Sequence, residues 1–322
     1  MTDALAGAPP RLDPAKFRDP SVTAKGETRA RVALKALDTL WFNTGTLCNL
    51  TCQNCYIESS PKNDRLVYLS AAEVAAYLDE IAALGLGTKL IGFTGGEPFM
   101  NRDLIAMLDD VLSRGFDAIV LTNAMKPMQH KKRALLALRE RFGAKSPGGL
   151  TIRVSLDHYG AAVHELERGK HSWGPTIEGL KWLAANGFAI NVASRYLSGE
   201  SEAAIRDGFR RLFAETGVTI DAADPVALMI FPEMDATVDV PEITTACWGI
   251  LHKSPDSVMC ASSRMVVKHK GAERPSVAAC TLLPYDALWG LGPDLAGALG
   301  SVPLNHPHCA KFCVFGGAAC SA

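Results

Sequence analysis

"KLIGFTGGEPFMNRDLIAMLDDVLSRGFDAIVLTNA", residues 89–124, spells out a strand, a helix and a second strand in one pass. An apolar run at 89–96 ends in a glycine pair, a helical pattern at 101–114 closes at Gly115, and a second apolar run at 117–124 ends in Thr-Asn. Two strands joined through a helix form a parallel pair, because the chain must cross back before it can run the same way again. The pattern extends in both directions. Further β-rich runs lie at "LWFNTG" (40–45), 150–157, 189–196 and 226–231, with helical stretches at 70–84, 129–142, 174–186 and 201–216. The first helix opens with Ser70 and Glu73 at capping-box spacing. Its Val74, Tyr77, Leu78, Ile81 and Leu84 recur on one face, and Gly85 ends it.

Six apolar strands alternating with five helices imply a parallel sheet with helical crossovers, covered on both faces. Periodicity leaves an open doubly wound sheet and a barrel or partial barrel equally open. In either, ligands bind at the C-terminal ends of the strands. Residues 1–36 read as an extension with some helix near Arg29 to Leu37. After residue 235 the pattern changes to a β-hairpin around "RMVVKHKGAERPSVAAC" (264–280), a short helix over Asp286 to Leu299, and a loop rich in Cys, His and Gly. So little periodic apolar sequence needs a staple, and bound metal is one.

The composition is that of a folded, near-neutral protein: 48% hydrophobic, 21% charged, net charge −1. Such a balance argues against a broad nucleic-acid footprint. The start lacks a basic-then-apolar secretory pattern and no apolar run is long enough to cross a bilayer, so the expected location is cytoplasmic. In a reducing compartment, clustered thiols more often bind metal or do catalysis than form disulfides.

Nine cysteines divide into three plus six. Cys48, Cys52 and Cys55 follow C-x3-C-x2-C within "NTGTLCNLTCQNCYIE" (43–58), directly after a strand. Their offsets would also place three side chains on one helix face, where cysteine packs as a small hydrophobe. The surrounding Thr, Asn, Gly and Gln are poor helix formers, which favours a loop. Structural zinc takes four ligands, commonly in paired C-x2-C units. Three close thiolates better suit an iron–sulfur cubane with one iron left open.

This loop, followed by Tyr56, resembles the signature of the radical S-adenosylmethionine (SAM) superfamily. "TGGEP" at Thr94 to Pro98, one βα unit later, is similar to that family's GGEP-type motif. The resemblance implies a partial (β/α)6 barrel of parallel strands over residues 37–235, a [4Fe–4S] cluster on Cys48, Cys52 and Cys55, and SAM on the open iron. Reduction would cleave SAM to methionine and a 5′-deoxyadenosyl radical that removes a hydrogen atom from substrate. SAM contacts would come from Tyr56, Gly95, Gly96, Glu97, Pro98 and Thr122, and from Ser155, Asp157, Ser194 and Arg195 at strand ends. Asp157, His158, Tyr159 and His164 are the candidates for contact with substrate.

Residues 236–322 resemble the SPASM/twitch extension of one branch of the family, which implies auxiliary cluster binding. Two fully cysteine-ligated clusters need eight thiolates, and only six are present here. One auxiliary [4Fe–4S] cluster is therefore expected, drawing on Cys260, Cys280 and two or three of Cys309, Cys313 and Cys320, with Cys247 as a further ligand. His306 and His308 are ligands or neighbours of that site. The expected activity is oxidation or crosslinking of a peptide or small metabolite, with electrons from a donor such as flavodoxin or ferredoxin. With about 36 residues before the first strand, no appended peptide-recognition domain is expected there, which leaves a separately encoded one or a small-molecule substrate. The alternatives are a non-enzymatic iron–sulfur scaffold or redox sensor, which leaves "TGGEP" without a task, and a radical enzyme acting on nucleic acid, which the neutral charge disfavours.

Overall fold

The computed structural model describes residues 10–143, 149–232 and 235–317. Cys320 lies outside the described residues. Six strands, β1 (Thr39–Asn43), β2 (Leu90–Thr94), β3 (Asp117–Thr122), β4 (Leu150–Ser155), β5 (Ala189–Arg195) and β6 (Leu228–Phe231), pair in parallel, each with the next. The connecting helices are α1 (Ala71–Leu84), α2 (Leu104–Ser113), α3 (Lys132–Phe142), α4 (Ala161–Arg168), α5 (Trp173–Ala185) and α6 (Glu202–Thr216). The hairpin expected after residue 263 is present as β7 (Ser263–Val267) and β8 (Ser276–Ala278). It joins the main sheet, since β7 pairs in parallel with β1 and gives the order β6-β5-β4-β3-β2-β1-β7-β8.

All five residues of β1 are buried, and their alternation divides the core in two. Leu40 and Phe42 point to the helix layer, where Phe42 stacks on Phe93 (ring centroids 5.8 Å apart) and meets the edge of Tyr77. Trp41 points the other way, into a second cluster built largely from the C-terminal segment, including Met265, Val267, Trp289 and Phe312. Period-2 side-chain alternation requires this division once both faces are covered. Gly92 is where Trp41 needs room, for a β-carbon there would lie 2.3 Å from the indole.

Helix α1 carries the capping box expected of it. Ser70 Oγ accepts from Glu73 N at 3.3 Å, Glu73 Oε2 accepts from Ser70 N at 2.8 Å, and Gly85 closes the helix in the left-handed region.

Three local expectations are corrected. Residues 29–37 form no helix. Arg31–Val32 pairs antiparallel with Val302–Pro303, Ala30 N donates to Ile243 O and Lys35 N to Ala261 O, so long-range partners take the backbone groups a helix would use. The stretch from Asp286 to Leu299 is broken at Gly290, Gly292 and Pro293 into two single turns, Ala287–Trp289 and Gly297–Leu299. Helix α4 is additional to the five expected helices; it buries the polar His164 and Glu167 and leaves Leu166 74% exposed.

Candidate active site

The C-terminal ends of β2 to β6 and the loop after β1 surround one cavity, about 990 Å³ with its open mouth. Cys48, Cys52, Cys55 and Tyr56 face it from the loop. Gly95, Gly96, Thr122, Ser155, Asp157, Ser194 and Arg195 face it from the strand ends. Of the residues expected at the cofactor, Glu97 and Pro98 are buried and do not line it.

The glycine pair, which faces the cavity, also carries the cysteine loop. The cysteine loop itself lies on it: Gly96 N donates to Gly45 O at 2.8 Å and Glu97 N to Leu47 O at 3.1 Å. A β-carbon on Gly96 would lie 2.1 Å from Leu47 O, and one on Gly95 would lie 2.5 Å from Gly45 O. Gly95 also sits at φ +140°, which side chains avoid. Glu97 turns inward, where Thr122 Oγ1 donates to it at 2.8 Å, Asn123 N at 2.9 Å and Phe99 N at 3.2 Å. Burial lifts its carboxyl to about 7 against the pull of those three donors. Its carboxylate ties the ends of β2 and β3 together and does not meet the cavity.

Two of the loop sulfurs receive backbone donors, Leu50 N to Cys48 Sγ at 3.4 Å and Ser59 N to Cys55 Sγ at 3.3 Å. Burial pushes the Cys48 thiol up to about 12 and raises that of Cys52, which Arg168 partly opposes. Ser59 Oγ, at the cavity wall, has no hydrogen-bond partner among the described residues.

Asp157, at the end of β4, is the hub of a buried ion network. Arg168 Nε donates to its Oδ2 at 2.6 Å and Arg168 Nη2 to its Oδ1 at 3.1 Å, with Arg195 3.7 Å away. Burial alone would raise the Asp157 carboxyl; the two guanidiniums overcome it and hold it low. Ser194 Oγ donates to Asp157 O at 2.8 Å. Beside it, Glu167 fastens the cysteine loop to α4: Asn54 N and Nδ2 donate to its carboxylate at 2.9 and 2.8 Å, Gln53 N donates to its carbonyl, and Arg195 Nη1 bridges to it at 3.0 Å. Arg168 and Glu167 went unread in the sequence. An ordinary charged helix turn hides them, and only the tertiary pairing with Asp157 and Asn54 reveals them.

The remaining candidates stand apart from the cavity. His158 Nδ1 accepts from Gly160 N at 2.9 Å, so its proton is on Nε2, which donates to Glu200 at 2.9 Å. Tyr159 donates to the same carboxylate and stacks on His158. His164 is fully buried against the edge of Trp173, with neither ring nitrogen partnered among the described residues.

In the C-terminal segment, Cys260, Cys280 and Cys309 are buried in one cluster, with Cys247 and Cys313 packed against it. Leu282 N donates to Cys280 Sγ at 3.4 Å. Arg264, also buried, donates to Cys260 O at 2.6 Å. Leu282 and Phe312, two and three positions beyond Cys280 and Cys309, reach the wall of the first cavity, where Phe312 stacks on Phe231. His306 and His308 lie together, ring centroids 4.6 Å apart, and burial pushes each down to about 4.

Two consequences are measurable. Replacing Glu167 with Ala frees the Asn54 backbone amide and the Asn54 side-chain amide, each bond worth about 1.5–3 kcal/mol to a charged acceptor, and leaves the Gln53 bond to the residue-167 carbonyl in place. Hydrogen exchange at Asn54 should accelerate about tenfold or more, with α1 unchanged; equal protection in the variant would show that the clamp is idle. Burial pushes His164 down to about 4 from the usual 6.5. Between those values the unfolded chain binds a proton that the folded chain does not, so stability rises with pH across that window. His164→Phe should flatten the rise in Tm between pH 4 and 6.5, and an unaltered slope would contradict a buried neutral ring.

Comparison with known proteins identifies the family. Residues 42–211, just over half the chain, match the radical SAM superfamily. Among curated relatives, the antilisterial bacteriocin subtilosin biosynthesis protein AlbA of Bacillus subtilis is 28% identical over 174 residues, 54% of this chain and 35% of that protein. GTP 3',8-cyclase of Tolumonas auensis is 29% identical over 142 residues, 44% of this chain and 39% of that protein. The chain thus spans well under half of those relatives' lengths. In fold it is similar to Streptococcus suis SuiB bound to S-adenosylmethionine, with a TM-score of 0.56 at 12% identity over 78% of this chain and 62% of that one. A parallel α/β fold, cysteines after its first strand and a family match over half its length converge: the chain belongs to the radical SAM superfamily.

Proposed function

We propose that Cys48, Cys52 and Cys55 hold the [4Fe–4S] cluster of a radical SAM enzyme, with SAM bound in the same cavity. The observation that carries this reading is that three thiols, the glycine pair and the polar ends of four strands face one cavity of ligand size. The residues present fit the group. Three thiols from one loop face the same cavity, near enough that Cys52 and Cys55 each act on the Cys48 thiol, and thiolates are the donors such a cluster takes. The orphaned Ser59 hydroxyl at the wall adds an unused polar atom. When bound, cluster and SAM supply the one-electron chemistry that removes a hydrogen atom from substrate.

The chain's own residues position and enclose that chemistry. Backbone donors from Leu50 and Ser59 lower the charge density on two sulfurs and so raise the potential of whatever iron they carry. Glu167 and Arg195 fix the loop, and the Asp157–Arg168 pair gives the cavity a polar wall. Phe231, Leu282 and Phe312 supply an apolar wall that excludes water.

For the C-terminal segment, from residue 236, the reading is one auxiliary [4Fe–4S] cluster on Cys260, Cys280, Cys309 and Cys313, with Cys247 and Cys320 in reserve. Its support is the burial of three thiols in one cluster, where Cys260 and Cys280 both act electrostatically on Cys309. The substrate class is a peptide or a small metabolite, to be oxidised or crosslinked. A relative named for bacteriocin biosynthesis and a fold neighbour solved with its precursor peptide SuiA support the peptide. A relative named as a GTP cyclase supports the small metabolite.

The test is the triple variant Cys48→Ala, Cys52→Ala, Cys55→Ala, prepared without oxygen. It should lose 5′-deoxyadenosine formation from SAM entirely while keeping about four of about eight irons. Retained cleavage would remove the cluster from these cysteines, and loss of all iron would contradict a second, separate site.

A further inference from the structure

We propose that a basic groove on the outer side of the cysteine loop is the docking surface for an acidic, low-potential one-electron carrier protein. The inference rests on the radical SAM reading above. The groove, about 1240 Å³ with its mouth, shares no lining residue with the active-site cavity. The two are separated by a single peptide unit: Cys48 faces the cavity and Asn49 faces the groove.

Asn49 connects the two sides. Its Oδ1 lies 4.0 Å from Cys48 Sγ and accepts from Asn123 Nδ2 at 2.9 Å, and its Nδ2 reaches Met125 Sδ at 3.9 Å. One side chain therefore spans from the groove floor to a sulfur of the proposed cluster. Phe99, Met100 and Met125 make that floor apolar, and Lys126, His130, Lys131 and His171 form its rim. Among the described residues no acidic one lines it. The run "KPMQHKKR" (126–133) carries four Lys or Arg and one His without an acid, in a chain whose net charge is −1. An apolar centre inside a cationic rim is the anatomy of a protein interface for a negatively charged partner.

The chemistry selects which partner. Reductive SAM cleavage needs one electron from outside for each SAM consumed, and the cavity side is taken by SAM and substrate. At the groove the reduced carrier loses one electron and the cluster gains it, with no proton moved and no bond changed. Rim charges act mainly on encounter rate and its salt dependence.

The experiment compares two reductants on the cluster-loaded protein and its Lys126→Glu, Lys131→Glu double variant. Deoxyadenosine formation is driven either by a bacterial flavodoxin reduced to its hydroquinone or by dithionite, which needs no docking. Flavodoxin-driven turnover should fall about tenfold or more in the double variant. It should likewise fall in the parent protein as salt is raised to about 0.5 M, where surface charges are screened beyond a few ångströms. Dithionite-driven turnover should hold. Calorimetric affinity for oxidised flavodoxin, which requires no turnover, should weaken in parallel.

Flavodoxin that fails to support the parent protein while dithionite succeeds would overturn the proposal, as would unchanged affinity in the variant. Equal losses with both reductants, or a raised SAM requirement with dithionite, would assign the groove to the SAM site and overturn it too. Absence of deoxyadenosine from the parent protein with dithionite would strike the radical reading itself, which keeps the two failures apart.

Discussion

The peptide planes of Gly45 to Leu47 rest directly on Gly95 and Gly96, with no space between them for a β-carbon. The rest of the site follows from this contact. It brings the loop after β1 across the end of β2, and its two backbone hydrogen bonds set the height at which Cys48 enters the cavity. Glu97, locked under the same contact by donors from β3, couples the second and third strand ends to it. The far end of the loop is fastened by Glu167 on α4, so a segment with no regular secondary structure of its own is anchored at both ends.

The second organising feature is the way the C-terminal segment uses the barrel. Strand β7 adds beside β1 on the side opposite β2, so the cysteine-rich segment is built onto the edge of the same sheet. Trp41 and Ile119 pack their sheet face against it, and Phe312 and Leu282 close one wall of the cavity. Leu282 and Phe312 stand two and three positions beyond Cys280 and Cys309 in the chain, so the segment that carries those cysteines also furnishes part of the cavity wall.

The parallel core was legible because its strands are apolar on both faces and its helices keep one apolar stripe ended by glycine, as Val74 to Gly85 does in α1. The cavity-lining cysteines and the strand-end Ser155, Asp157, Ser194 and Arg195 were legible because topology puts strand ends at the site. What stayed hidden depends on pairing over distance. Helix α4 buries the polar His164 and Glu167 and exposes Leu166, so its buried face is not the one that hydrophobicity marks. Arg31–Val32 looks helical until Val302–Pro303 claims it. The packing of the cysteine loop on Gly95 and Gly96 likewise has no mark in the sequence of either segment. Arg168 carries no local mark, and its role exists only because Asp157 is opposite.

The central claim is that the cluster on Cys48, Cys52 and Cys55 keeps one iron open for SAM. Electron paramagnetic resonance of the dithionite-reduced protein, recorded with and without SAM, tests it without any knowledge of the substrate. Binding at the open iron predicts that SAM shifts the g values of one reduced cluster and leaves the spectrum of any other unchanged. A spectrum indifferent to saturating SAM would contradict the account.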